Sequence, residues 1–172
     1  PSGISEEAYR RMIDWTMRGE RQLGFSFALD TRGATTAGDD PVLVCGSADQ
    51  GSASVWYRLT PLSSGIFSAD TVGSDYNTVL AVWTDSISSL TNRGCNDDGG
   101  TGTNSSLNVA VTSGTTYYIE VVGYDSGDHG NLVLNVDPVC AVPGAPTLAA
   151  PANAATTQAE PIFFDWNAVS GA

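Results

Sequence analysis

Apolar and polar residues alternate with a period of two along most of the chain. In the stretch 22–30 the apolar residues occupy every second position: Leu23, Phe25, Phe27 and Leu29. This pattern is typical of a strand with one buried face. The same alternation, or a short apolar run between Gly-, Ser- and Asp-containing turns, predicts further strands at 42–45, 54–60, 65–71, 78–84, 106–112, 115–123 and 131–136. Short strands at this spacing predict an all-β fold, an antiparallel β-sandwich of the jelly-roll or Ig-like type.

The N-terminal stretch 5–18 has a helical pattern instead. Ser5 is a capping residue, Gly19 follows the last turn, and acidic residues precede arginines by four positions. We therefore expect a short N-terminal helix whose apolar face packs either on its own domain or on a neighbouring chain. That face consists of Tyr9, Met12, Ile13 and Met17.

The C-terminal stretch is expected to be an extended tail. Residues 140–160 are rich in Pro, Ala and Thr, a composition typical of linkers. Residues 161–172 resemble the opening strands of a fibronectin-III or Ig-like module, left incomplete, and their apolar residues are Ile162, Phe163, Phe164 and Trp166. One or two strands need partners for their backbone and apolar face, so this segment is a candidate strand donor.

Four segments follow from these patterns. They are a helical segment at 1–21, a β-sandwich at 22–139, a linker at 140–160 and the incomplete strand segment at 161–172.

The net charge of the chain limits the classes of macromolecule that it is expected to bind. The chain has 172 residues, of which 19 are acidic and 7 basic, for a formal net charge of −12. Binding to nucleic acid or to an anionic membrane requires clustered Lys and Arg, so neither partner is expected. The sequence contains no apolar run of the roughly 18 residues that a membrane span needs. With 41% hydrophobic residues, it can still bury a core.

Five blocks of the sequence resemble the bacterial pre-peptidase C-terminal domain. They lie in the same order as in that family, at 30–35, 54–60, 73–82, 95–98 and 114–119, and the resemblance covers about residues 23–136. Domains of this family are β-sandwiches appended to secreted proteases and to other bacterial surface proteins. The resemblance therefore implies an extracellular or cell-surface location, and it implies no reaction.

The three cysteines suggest one disulfide bond in a secreted protein. Cys45 and Cys95 both lie in or near the family-like part of the sandwich, which favours a bond between them. Cys140 would then be outside this bond. A bond between Cys45 and Cys140 is the alternative, because spacing does not determine connectivity.

Calcium is the candidate cofactor, and no cofactor is required. Asp75 and Asn77 precede an apolar strand, and Asp97 with Asp98 follow Cys95. If the two loops meet at one end of the sandwich, their oxygen ligands suit calcium. The alternative is that these residues only stabilise turns, because Asp and Asn commonly do so in Gly-rich loops.

The inventory of reactive residues argues against an enzyme. His129 is the single histidine and lies in a Gly- and Asp-rich turn, and no nucleophile elbow, zinc-protease helix or phosphate loop is present. We therefore predict a non-catalytic secreted module. One interpretation is a structural subunit of an extracellular homopolymer whose terminal segments bridge subunits. The alternative is an accessory domain of a secreted hydrolase that adheres to polysaccharide or extracellular fibrous protein through exposed aromatics such as Trp83 or Tyr124.

Overall fold

The computed structural model describes residues 13–16, 25–38, 40, 41, 43, 45, 53–86, 88–140, 147–150 and 164–166. The chain divides into two compact units, 1–140 and 141–172. In the described residues all regular structure is β-strand. Within this part of the chain no helix is long and apolar enough to cross a membrane.

Two packed sheets form the first unit. Its strands in chain order are β1 (Ile13–Thr16), β2 (Phe25–Asp30), β3 (Val55–Thr60), β4 (Gly65–Asp70), β5 (Thr78–Ser86), β6 (Ser89–Asn96), β7 (Ser106–Val111), β8 (Tyr117–Gly123) and β9 (Asn131–Cys140). The five-stranded sheet has the order β1-β3-β8-β5-β6, and the four-stranded sheet has the order β2-β9-β4-β7. Every neighbouring pair in both sheets is antiparallel except β1 and β3, which are parallel.

The main core lies between the two sheets. Alternate residues of β3, β4, β5, β7, β8 and β9 point into it, as the period of two requires. Phe67 of β4, Leu80 and Val82 of β5, and Leu132 and Leu134 of β9 are completely buried there. Burial of these side chains is the largest favourable contribution to the stability of the sandwich.

A second apolar cluster covers the outer face of the five-stranded sheet. We call it the outer cluster; its buried members are Leu43, Trp56, Val79, Ala81, Trp83, Tyr118 and Val122. Because β5 and β8 contribute to both clusters, β8 is buried along its whole length and β5 along all but its last two residues. These two strands therefore lie between two apolar layers.

The all-β sandwich is confirmed, and strands lie at or within most of the predicted positions. The prediction at 42–45 is wrong at Leu43 and Cys45, which are not in a strand, because this segment packs over the outer cluster. The predicted helix at 5–18 is wrong at Ile13–Thr16, which form β1. Pairing with β3 there prevails over local helix propensity. The rest of that stretch lies outside the described residues.

The second unit contains a short antiparallel pair. β10 (Leu148–Ala150) lies within the predicted linker and pairs with β11 (Asp165–Trp166). Phe164, just before β11, is 68% exposed. The other apolar residues proposed for contacts at the two ends, Tyr9, Met12, Met17, Ile162 and Phe163, lie outside the described residues.

Candidate functional site

The outer cluster is built around one buried carboxyl group, that of Glu120. This residue lies in the middle of β8 and is 1% exposed. Its in-register neighbours are Trp56 of β3 and Ala81 of β5, and Ala81 is in register with Cys95 of β6. A single carboxyl group therefore interrupts an otherwise apolar row that crosses four strands.

Two indole groups belong to the same cluster. Trp83 Nε1 donates a 2.9 Å hydrogen bond to Glu120 Oε2, whereas Trp56 Nε1 is buried and has no hydrogen-bond partner among the described residues. Burial raises the pKa of Glu120 well above its usual value, the Asp40 carboxyl raises this pKa further, and the bond from Trp83 opposes the rise. The site therefore favours the neutral acid form of Glu120.

A segment that precedes β3 packs on the outer cluster. We call its described residues Asp40, Pro41, Leu43 and Cys45 the strap. Pro41 and Leu43 are buried, and Leu43 is part of the cluster itself. The strap separates the indoles and Glu120 from solvent, so this aromatic face is a second core.

Covalent and polar contacts hold the strap in place. A disulfide bond joins Cys45 to Cys95 of β6, which confirms the favoured pairing. Asp40 Oδ2 accepts hydrogen bonds from Ser54 Oγ at 2.7 Å and from the backbone N–H of Ala37 at 2.9 Å. The strap is therefore tied at both ends of its described part.

The burial of the aromatic residues contradicts one prediction about ligand binding. Trp83 is 6% exposed, so the prediction that it is an exposed aromatic contact is wrong. Trp56 is 2% exposed and is a core residue as well. Tyr124 is half-buried and packs against the outer cluster.

Asp75 lies at one end of the sandwich and is held by its neighbours. Its two carboxylate oxygens accept hydrogen bonds from the backbone N–H of Asn131 at 2.7 Å and from Asn131 Nδ2 at 2.8 Å. Arg32 Nη2 lies 3.8 Å from Asp75 Oδ2, and Arg32 Nη1 lies 3.2 Å from Asp30 Oδ2. The backbone N–H of Arg32 lowers the pKa of Asp30, and the guanidinium charge acts in the same direction. Asp75 thus joins the loops that follow β2 and β4 to the start of β9.

The remaining candidate calcium ligands lie around the ends of β5 and β6. Asn77 precedes β5, and Asp97 and Asp98 follow β6. Asn77 Oδ1 and Asp97 Oδ1 are buried, and in the part of the chain that the structure describes they have no hydrogen-bond partner. Burial and the neighbouring charge of Asp98 raise the pKa of Asp97. In the described ranges no group of three or more His, Cys, Asp and Glu side chains could hold a metal ion, so calcium binding stays a prediction.

The outer face of the four-stranded sheet differs from the outer face of the five-stranded sheet, on which the strap packs. We call it the polar face; its residues are Ser26, Ala28, Asp30, Ile66, Ser68, Asp70, Ser106, Asn108, Ala110, Asn131, Val133, Asn135 and Asp137. These side chains are exposed or half-buried. Asn135 Nδ2 donates to Asp70 Oδ1 at 2.7 Å, and Ser68 Oγ donates to Asn108 Oδ1 at 2.5 Å.

Hydrogen bonds between strands thus give the polar face a fixed surface of amides, hydroxyls and carboxylates. It contains three carboxylates and, by its composition, no cation. His129, the residue needed for a hydrolytic triad, is exposed in the turn before β9, as expected of a surface turn residue.

Comparisons with known proteins concern this sandwich. No protein-family model and no curated protein sequence matches the chain. Among solved structures, the chain is similar to the pre-peptidase C-terminal domain of a collagenase from Bacillus anthracis, with 13% identity and a TM-score of 0.43, over 73% of this chain and 92% of that one. It is also similar to the periplasmic inhibitor of g-type lysozyme from Aeromonas hydrophila, with 17% identity and a TM-score of 0.41, over 74% and 96%. The first of these belongs to the family that the sequence blocks resemble.

Proposed function

We propose that the chain is a non-catalytic binding module of a secreted or periplasmic bacterial protein, and that its polar face contacts the partner. The contrast between the two outer faces of the sandwich carries this proposal. One face is covered by the strap, and the other, within the described residues, is exposed or half-buried and acidic. The disulfide bond supports an oxidising compartment, because such bonds persist there and are rare in the cytosol.

The chemistry of the polar face favours a protein partner with a basic surface over a polysaccharide. Polysaccharide adhesion commonly uses exposed aromatic rings, and the polar face has none, since Trp56 and Trp83 belong to the sealed cluster. Two of its carboxylates, those of Asp70 and Asp137, complement arginine and lysine side chains, whereas Asp30 is already paired with Arg32.

Binding measurements at two salt concentrations test this function. The immobilised chain is exposed to a basic protein such as lysozyme, to fibrillar collagen and to an insoluble polysaccharide. We expect protein binding that weakens with salt and is lost when Asp70 and Asp137 are both changed to lysine. The matched control changes Asp98 and Asp125 to lysine, which alters the charge by the same amount on exposed loops outside this face, and it should retain more binding. Equal binding by both charge variants, or adhesion to polysaccharide alone, contradicts the proposal.

A second candidate function is a structural subunit of an extracellular homopolymer. The observation that favours it is β1, which comes from outside the family-like region 23–136 and lies on the open edge of β3. Light scattering on the purified chain tests this function, because a subunit forms particles whose mass increases with concentration. A constant monomer mass over the whole concentration range contradicts it.

A further inference from the structure

The edge of β3 has the properties of a strand-binding site. On one side β3 pairs with β8, and on the other side its ladder partner is β1. Tyr57 and Leu59 of β3 are 3% and 1% exposed and belong to the main core. Without β1, a strand with this apolar face would present unpaired backbone N–H and C=O groups at its open edge.

The sequence of β1 matches that edge position by position. Ile13 and Trp15 are in register with the core residues Tyr57 and Leu59. Between them, Asp14 is in register with Arg58, so an acid is placed opposite a cation. A shift by one residue would place apolar residues where this charged pair lies. The segment in register with this edge therefore has an acid between two apolar residues.

An apolar pocket lies beside the same edge. It is lined by Phe27, Tyr57, Arg58, Leu59, Ile119, Leu134 and Val136. Tyr57 and Leu59 thus belong both to the pocket and to the register with β1. In strand addition the backbone ladder gives affinity. The β3 edge provides that ladder.

From this geometry we propose that the β3 edge binds residues 13–16 of a second copy of the chain. The proposal rests on the second candidate function, the structural subunit, and gives it a contact. The backbone ladder between β1 and β3 is the same whether β1 comes from the same chain or from another, so exchange needs no new interface. Parallel pairing within one chain requires a long crossover, here through β2 of the other sheet, whereas pairing between chains does not.

Cross-linking between two single-cysteine variants tests the exchange. Thr16 and Thr60 are in register, so cysteines at these two positions come close enough for a disulfide bond when β1 lies on β3. Both variants carry Cys140→Ser, which leaves the Cys45–Cys95 bond intact. Chains with Thr16→Cys are mixed with chains with Thr60→Cys, unfolded and refolded together, and oxidised. We expect a covalent dimer of one chain of each kind.

The matched control mixes Thr16→Cys with Ser88→Cys, an exposed position between β5 and β6 at the opposite edge of the same sheet. A dimer from the in-register mixture and its loss in the control support the exchange. If a double variant with Thr16→Cys and Thr60→Cys cross-links within one chain and the mixture yields no dimer, β1 stays on its own sandwich and the proposal is overturned. If neither the double variant nor the mixture cross-links, the proposal is also overturned.

A peptide of residues 9–20 gives an independent measurement on the unmodified chain. Added in excess, it should compete for the β3 edge and reduce the mass of assemblies seen by light scattering, whereas a scrambled peptide should not. If assemblies form but neither cross-link nor respond to the peptide, the subunit function stands and strand exchange is overturned. A strictly monomeric chain without cross-links overturns both.

Discussion

The indole of Trp83 donates a hydrogen bond to the carboxyl group of Glu120, and both residues are buried under the strap. Trp83 lies on β5 and Glu120 on β8, so the bond links two neighbouring strands on their outer side. Asp40 of the strap is the charged group that acts on Glu120 through space and raises its pKa. The outer cluster therefore contains an acid that is most stable when neutral, and this makes the stability of the fold depend on pH.

Replacing Glu120 with glutamine should stabilise the protein at neutral pH. In the unfolded chain this carboxyl ionises near its usual pKa of 4.5, whereas burial raises the pKa in the folded state. The folded state therefore binds more protons between these two values, and stability decreases as pH rises through that window. Glutamine removes this loss and keeps an acceptor for Trp83. We expect a gain of at least about 1 kcal/mol at pH 7, since one pKa unit corresponds to about 1.4 kcal/mol.

Urea denaturation from pH 4 to pH 8 measures this effect. The Glu120→Gln variant should show a flatter pH dependence than the wild type, with the two stabilities converging at low pH. Asp137→Asn removes an exposed carboxylate from the polar face and serves as the control. Parallel pH curves for the wild type and Glu120→Gln would show that Glu120 is not the titrating group.

Loss of the disulfide bond should destabilise the sandwich. Cys45 and Cys95 are 50 positions apart, and closing a loop of that size stabilises the folded state by about 4 kcal/mol in the chain-entropy treatment. We expect the double change Cys45→Ser and Cys95→Ser to lower the free energy of unfolding by about this amount. Adding a reductant to the wild type should have the same effect, and the Cys140→Ser control should be far less affected. A loss below about 1 kcal/mol would contradict the role given to the strap.

A buried hydroxyl network should be sensitive to single substitutions. Thr71 Oγ1 and Thr78 Oγ1 are 2.6 Å apart, and the backbone N–H of Ser105 donates to Thr71 Oγ1 at 2.8 Å. All three residues are buried. Thr71→Val keeps the shape but leaves the N–H of Ser105 with a poorer acceptor, so we expect a loss of about 1–3 kcal/mol. The control Thr112→Val lies at an exposed position, and an equal loss in both variants would contradict the network.

The calcium prediction can be tested through Asp97 and Asn77. Both have a buried oxygen that no described residue hydrogen-bonds, whereas Asp75 already accepts two hydrogen bonds from Asn131. We expect calcium to raise the melting temperature of the wild type and to have no effect on Asp97→Asn or Asn77→Ala. Calorimetric titration with calcium, using magnesium as the control ion, measures the binding directly. The absence of both heat and stabilisation in the wild type would contradict the prediction.

Much of the sandwich follows from the alternation of apolar residues. Strands β2, β3, β4, β5, β7, β8 and β9 lie where the period of two or a short apolar run predicts them, because each has at least one face against a core. β6 was not predicted, since its sequence, Ser-Leu-Thr-Asn-Arg-Gly-Cys-Asn, lies at a sheet edge and is mostly exposed. β1 was predicted as helix because its stretch contains acid–arginine pairs four residues apart, and local pattern does not reveal pairing with a distant strand.

The candidate site could be predicted only in part. The disulfide bond was anticipated, because Cys45 and Cys95 lie in or near family-like blocks. Glu120 was not anticipated, because an acid inside a strand ordinarily faces solvent. Its signal is the sequence Tyr-Tyr-Ile-Glu-Val-Val, which is apolar on both faces of the strand and so marks a strand buried on both sides. The strap could not be predicted, since its position depends on tertiary contacts with Trp56 and Trp83.

The position of Glu120 also determines how β8 can align during folding. A slip of β8 by one residue against β3 and β5 would turn this carboxyl into the main core, where Phe67 and Leu134 lie. Without the indole of Trp83 as donor, an acid there would lose its hydrogen bond and destabilise the misaligned sheet. The same side chain that weakens the native fold at high pH thus disfavours its nearest misfolded alternative.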